Sequence, residues 1–211
     1  MADKEMFNGE AVLSFDNEQD RRNFLKWAGI VGVGSTLAVG GFSRQASSAQ
    51  AEDSDLEILN YALTLEYLEA DFYNQGIDGG ALSGRELALV TPIRDHEDAH
   101  VAALTSTITD LGGTPVKSPK FKYPNGTFSD KAKFLATASV FEELGVTAYH
   151  GQVKLIKSVD ILGAAAAIAG VESRHAAILA DLTGGEPFPA PVEGTKTMEQ
   201  VLEAATPFIQ S

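Results

Sequence analysis

From residue 54 onward, apolar positions recur at intervals of three and four. That is the period of an amphipathic helix, and no segment shows the alternation of two expected of a half-buried strand. Ile58, Leu59, Ala62, Leu65, Leu68, Phe72 and Tyr73 trace one such stripe. Ser54-Asp55-Leu56-Glu57 ahead of it has the S-x-x-E spacing of a capping box. The pattern predicts a first helix over 56–74, closed by Gly76. A second capping box, Ser83-Gly84-Arg85-Glu86, opens a segment that runs to Leu111 and stops at Gly112-Gly113. Pro92 lies inside it and is expected to kink or restart the helix. Ser129 is expected to cap a third helix over 130–156, and Asp160 a fourth that reaches Leu182 before Gly184-Gly185. A short last helix is expected over 198–205, before Pro207.

The connections set the topology. Helices 1 and 2, and helices 3 and 4, are joined by short links and form antiparallel hairpins. Residues 113–128, between helices 2 and 3, hold three prolines and two glycines and read as a loop. Sixteen extended residues reach about 50 Å, whereas a 20-residue helix is about 30 Å long. The loop can therefore run the length of the bundle and leave helices 2 and 3 parallel. The expected fold is all-α: a four-helix bundle over 52–185 with one long crossover between helices 2 and 3, then a tail over 186–211 with a short C-terminal helix.

The segment before residue 52 reads differently. Asp20-Arg21-Arg22-Asn23-Phe24-Leu25-Lys26 precedes an uncharged, Gly-rich run from Trp27 to Ser43, which is shorter than a membrane span. Ala49-Gln50-Ala51 then offers an A-x-A cleavage site. The whole resembles a twin-arginine export signal, with Asp20 where that pattern carries Ser or Thr. The resemblance implies removal of residues 1–51, no stable membrane span afterwards, and a folded protein in the periplasm or outside the cell.

Composition narrows the chemistry. The 211 residues carry a net charge of −13 and no Cys. The acid excess argues against nucleic acid as a partner, since phosphate binding needs clustered Lys and Arg. Without Cys there is no thiol nucleophile, no thiolate-bound zinc and no iron–sulfur or rubredoxin-type iron. Metal chemistry is left to carboxylates and four histidines, His96, His100, His150 and His175.

Two of these histidines sit in matching motifs: Glu97-Asp98-Ala99-His100 on helix 2 and Glu172-Ser173-Arg174-His175 on helix 4. Three residues advance a helix by about 300°, so Glu and His share one face, one turn apart. The other two helices each carry a glutamate seven residues before a tyrosine, Glu66 with Tyr73 and Glu142 with Tyr149. The spacings repeat. Glu66 to Glu97 is 31 residues and Glu142 to Glu172 is 30, while His100 to His175 is 75 and Glu66 to Glu142 is 76. The chain is therefore an internal repeat of two helical hairpins related by a pseudo-twofold axis.

Residues 54–182 resemble the ferritin-like superfamily, and Leu59-Asn60-Tyr61-Ala62-Leu63-Thr64-Leu65-Glu66-Tyr67-Leu68-Glu69-Ala70 looks most like its exported and desiccation-related branch. The resemblance implies a dimetal centre with Glu97 and Glu172 bridging two ions, Glu66 and Glu142 as terminal carboxylates, and His100 and His175 giving one nitrogen to each metal. Tyr73 and Tyr149 match tyrosines that hydrogen-bond ligand carboxylates in that superfamily. Four carboxylates balance two divalent cations. Oxygen donors with two imidazoles suit iron, with manganese as the alternative.

The expected function is an exported di-iron protein that oxidises Fe(II) with dioxygen or peroxide. A stress- or desiccation-protective protein with a structural metal site and a manganese-catalase-like peroxide disproportionation are the alternatives, and a homo-oligomer is compatible with any of them. Glu69 and Glu143 compete with Glu66 and Glu142 as ligands but are expected to be outer or solvated. His96 and His150 are expected at the surface, and Asp98 and Arg174 in solvent.

Overall fold

The structure, a computed structural model, describes residues 53–210. The twin-arginine segment expected at residues 1–51 lies outside the described residues. Helices α1 (Asp53–Gly79), α2 (Gly84–Asp110), α3 (Lys131–Gln152) and α4 (Val159–Thr183) are followed by a short α5 (Met198–Ala205) and a 3-10 turn at Thr206–Phe208. Among the described residues the sole strand-like feature is an isolated bridge between Phe121 and Ile209. None of these helices is long and apolar enough to cross a membrane.

α1 packs along α2, and α3 along α4; the two hairpins then meet through α1 against α3 and α2 against α4. The segment between α2 and α3 lies against α1 from end to end. Near its start, Val116 N donates to Asn60 Oδ1 at 2.7 Å. Midway, the Tyr123 hydroxyl donates to Asp71 at 2.7 Å. At its far end the Phe128 backbone lies so close to Gly79 that a Cβ there would stand 2.5 Å from the Phe128 carbonyl oxygen. The chain leaves α2 beside the beginning of α1 and enters α3 beside its end, so α2 and α3 run parallel, as the loop's reach predicts.

Several helix ends differ from the sequence expectation. Neither expected capping box forms. The Ser54 hydroxyl is buried without a partner, and Ser83 makes no side-chain cap. Asp55 instead is buried and accepts from the backbone N–H groups of Lys157 and Ser158 at 3.0 and 2.8 Å. This carboxylate ties the start of α1 to the start of α4 by satisfying donors at a helix N-terminus. The caps of α3 and α4 are Asp130 and Ser158, which accept from Lys133 N and Ile161 N, rather than Ser129 and Asp160. α3 also stops at Gln152, short of 156.

Gly76 does not end α1, and Pro92 does not break α2. At 76, an added Cβ would run into the Phe134 ring. Glycine there lets α3 approach closely and bury Phe134, which stacks on Phe72 with ring centroids 4.7 Å apart. α1 instead finishes just before Gly80, whose φ of 71° lies in the left-handed region.

The core falls into two apolar clusters along the bundle axis. One, around Leu65, Phe72, Phe134, Phe141 and Leu179, lies toward the end of α1 and is joined by α5 through Val201 and Ala205. The other, around Leu59, Leu63, Leu104, Ile108 and Ile161, lies toward its start. α5 opens with a full capping box, Thr197 and Gln200 bonding each other's backbone.

Candidate metal centre

A polar layer sits between the two apolar clusters. Each main helix contributes a glutamate there, and Glu66, Glu97, Glu142 and Glu172 are all 0% exposed. His100 and His175 join them at 4%. The 3.6-residue period explains the arrangement: Glu97 and His100, and Glu172 and His175, project inward from one face of α2 and of α4.

Donor atoms converge on two points. Glu66, Glu97, His100 and Glu172 each place one donor within 4.8 Å of the others, and so do Glu97, Glu142, Glu172 and His175. Glu97 and Glu172 belong to both groups. His100 Nδ1 lies 3.2 Å from Glu66 Oε2, 3.1 Å from Glu97 Oε2 and 3.2 Å from Glu172 Oε1. His175 Nδ1 lies 3.0 Å from Glu97 Oε1 and 3.2 Å from Glu142 Oε2. One imidazole nitrogen carries at most one proton, so a single N–H cannot serve three carboxylates. Glu97 Oε1 and both oxygens of Glu172 are buried with no well-aligned hydrogen bond. Buried acceptors left this way cost about 1–3 kcal/mol each, more when charged. Oxygen-rich donors around two such points fit a pair of hard or borderline divalent cations.

Tyrosines complete the layer in a crossed pattern. Tyr73 on α1 donates to Glu142 Oε1 on α3, and Tyr149 on α3 donates to Glu66 Oε1 on α1. Each hairpin thus supports the other hairpin's glutamate. Burial and the neighbouring carboxylates, Glu142 for Tyr73 and Glu66 for Tyr149, hold both phenols well above their ordinary range, so they remain donors.

The crowding perturbs the acids and bases. Burial pushes Glu97 up to about 7. Burial, and then the charges of Glu97 and Glu142, push Glu172 well above the carboxylate range. Glu66 is the opposite case: burial would raise it, but the charge and hydrogen bond of His100 bring it below its ordinary value. Burial would also lower both imidazoles, yet the carboxylates, led by Glu66 for His100 and Glu142 for His175, hold both well above 6.5.

All six expected ligand residues and both tyrosines come together. Glu143, Asp98 and Arg174 are exposed, and His150 is half-buried with its Nδ1 2.9 Å from the Val146 carbonyl. One other expectation needs correction, and another resolves to one of its alternatives. Glu69 takes the outer rather than the solvated place expected of it, buried at the edge of the cluster; burial, then the charges of Glu172 and Glu142, push it well above the carboxylate range. Room for it comes from Gly145, where an added Cβ would stand 3.2 Å from Glu69 Oε1 and 3.1 Å from Glu172 Oε2. The signal was present in the repeat, since Glu69 and Gly145 are 76 residues apart, the same offset as Glu66 and Glu142. His96 is half-buried rather than at the surface, and its Nδ1 lies 2.8 Å from His175 Nε2. That contact joins two helices, so no pattern along α2 alone could show it.

A sequence profile described as a ferritin-like domain matches residues 54–185. No curated protein matches the chain. Among solved structures, the chain is similar to a hypothetical protein from Methanococcus jannaschii, with 12% identity over 79% of this chain and 98% of that one and a TM-score of 0.45.

Proposed function

Because the chain belongs to the ferritin-like family, we propose that its buried carboxylate–histidine layer holds two iron ions and oxidises Fe(II) with dioxygen or peroxide in an exported protein. The observation that carries this reading is the set of buried, unbonded oxygens on Glu97 and Glu172, facing two imidazole Nδ1 atoms. Without cations the four carboxylates could be buried only by taking up protons or pairing with charged imidazoles, as the raised Glu97 and Glu172 and the raised histidines indicate.

The residues have distinct tasks in this reading. Glu66 and His100 would hold one ion and Glu142 and His175 the other, with Glu97 and Glu172, which belong to both donor groups, available to either. Iron held there would supply one electron from each Fe(II), and two such electrons with two protons would reduce one dioxygen to hydrogen peroxide. Tyr73 and Tyr149 hold the terminal carboxylates in place through the crossed hydrogen bonds. The apolar clusters on either side keep bulk water from the layer, which strengthens every charge interaction within it.

The test is direct. Metal-free protein mixed with Fe(II) in air is expected to consume oxygen faster than a protein-free blank. Uptake equal to the blank removes the oxidase reading. A metal-dependent rise in melting temperature without turnover would instead favour a structural, stress-protective role. Export is tested by replacing Arg21 and Arg22 with Lys and fractionating cells; protein that still leaves the cytoplasm overturns the twin-arginine route.

A further inference from the structure

The two halves of the centre are related by the repeat, but they are not supported alike. His175 Nδ1 faces the carboxylates of Glu97 and Glu142. Its other nitrogen, Nε2, lies 2.8 Å from His96 Nδ1, with the two rings 15° from parallel. His100 also turns Nδ1 inward, toward Glu66, Glu97 and Glu172, but no described residue hydrogen-bonds its Nε2. The repeat shows why. His96 is four residues before His100, and the position four before His175 is Val171, which is buried and has no polar side-chain atom. The first hairpin therefore carries a supporting imidazole for the second hairpin's histidine, and the second hairpin offers none in return.

We propose that His96 is a positioning residue that makes the two metal positions unequal, so that the one served by His175 fills first and holds its ion more tightly. The proposal rests on the dimetal reading above. An imidazole that gives the Nδ1 lone pair to a cation must carry its proton on Nε2. His96 Nδ1 stands where it accepts that proton, which fixes both the tautomer and the ring orientation of His175. Such outer partners change metal affinity by roughly 10- to 100-fold. No described side chain does the same for His100.

The experiment is a calorimetric titration of the metal-free full chain with Co(II), read in parallel by the absorption of the bound ion. Two steps separated by roughly 10-fold or more are expected. His175→Ala should remove the tighter step and His100→Ala the weaker. His96→Ala should weaken the tighter step toward the other and alter the spectrum of the first ion bound. His96→Asn, whose amide can place an acceptor near the same point, should restore the separation. Metal-free His96→Ala should melt where the parent does, because the residue is half-exposed. Two ions bound in one indistinguishable step overturn the proposal while leaving the dimetal reading intact. So does a fall of both affinities together in His96→Ala, which marks a general structural contact. No binding at all overturns the dimetal reading, and this proposal with it.

Discussion

Tyr73 on α1 donates its hydroxyl to Glu142 on α3 at 2.5 Å, across 69 positions of sequence. Removing the donor leaves a buried carboxylate oxygen without its partner. Tyr73→Phe is therefore expected to lower affinity for the ion beside Glu142 by roughly 10- to 100-fold, and Tyr149→Phe to do the same beside Glu66. The volumes barely change, so both variants should fold. Competition titrations against a chelator of known affinity measure the loss; unchanged affinity would show that the phenols do not hold the carboxylates in place.

The sharing of ligands predicts stoichiometry. Glu97 and Glu172 appear in both donor groups, whereas Glu66 and Glu142 appear in one each. Glu66→Ala and Glu142→Ala should each leave about one ion bound per chain, and Glu97→Ala close to none. Elemental analysis after exhaustive dialysis distinguishes these outcomes. One ion retained in Glu97→Ala would argue against a shared ligand.

The metal-free protein should lose stability as pH rises. Glu97, at about 7 in the fold, and the still higher Glu172 and Glu69 keep protons that the unfolded chain gives up near its ordinary carboxylate pKa. Their contribution is present at low pH and is lost from about 4.5 upward through the folded values. The raised imidazoles act in the same direction, losing their stabilisation as pH climbs through their folded values. Glu66, with its lowered value, opposes this only below about 4.5. Melting temperatures of metal-free protein should fall from pH 5 to pH 8, and Glu69→Gln should flatten the fall. A metal-loaded sample should show little of it. A metal-free melting temperature that rises across the interval would refute the assignment.

Close packing at Gly76 gives a prediction remote from the polar layer. Gly76→Ala would drive a methyl group into the Phe134 ring, displacing a side chain buried to 0% exposure. Overpacking of this kind costs about 1–3 kcal/mol, outweighing the roughly 1 kcal/mol that alanine gains over glycine inside a helix. Denaturant unfolding of the variant should show a net loss. Stabilisation would mean that α1 and α3 move apart easily.

Much of this was legible in the residues. The helix count, the crossover and the six converging donors follow from a 3.6-residue period, a 16-residue loop and two E-x-x-H motifs. What escaped depended on contacts between helices. Gly76 looks like a stop signal until Phe134 is seen against it. Asp55 gave no sign that it would bond the start of α4, because its partners lie 102 and 103 positions away. The choice between an outer and a solvated Glu69 stayed open because its burial depends on the missing side chain of Gly145, and His96 was misplaced because its partner is on another helix.

The crossed tyrosine bonds also bear on how the chain assembles. Each hairpin is built from contacts close in sequence, which form early and quickly. The polar layer draws on all four helices, and each hairpin lacks the hydroxyl that its own terminal glutamate needs. A lone hairpin therefore exposes half of a highly charged cluster and can complete neither donor group. Binding competence arrives only when the hairpins dock, so the uptake of a coloured ion during refolding would serve as a clock for that last event, delayed behind the recovery of helical signal.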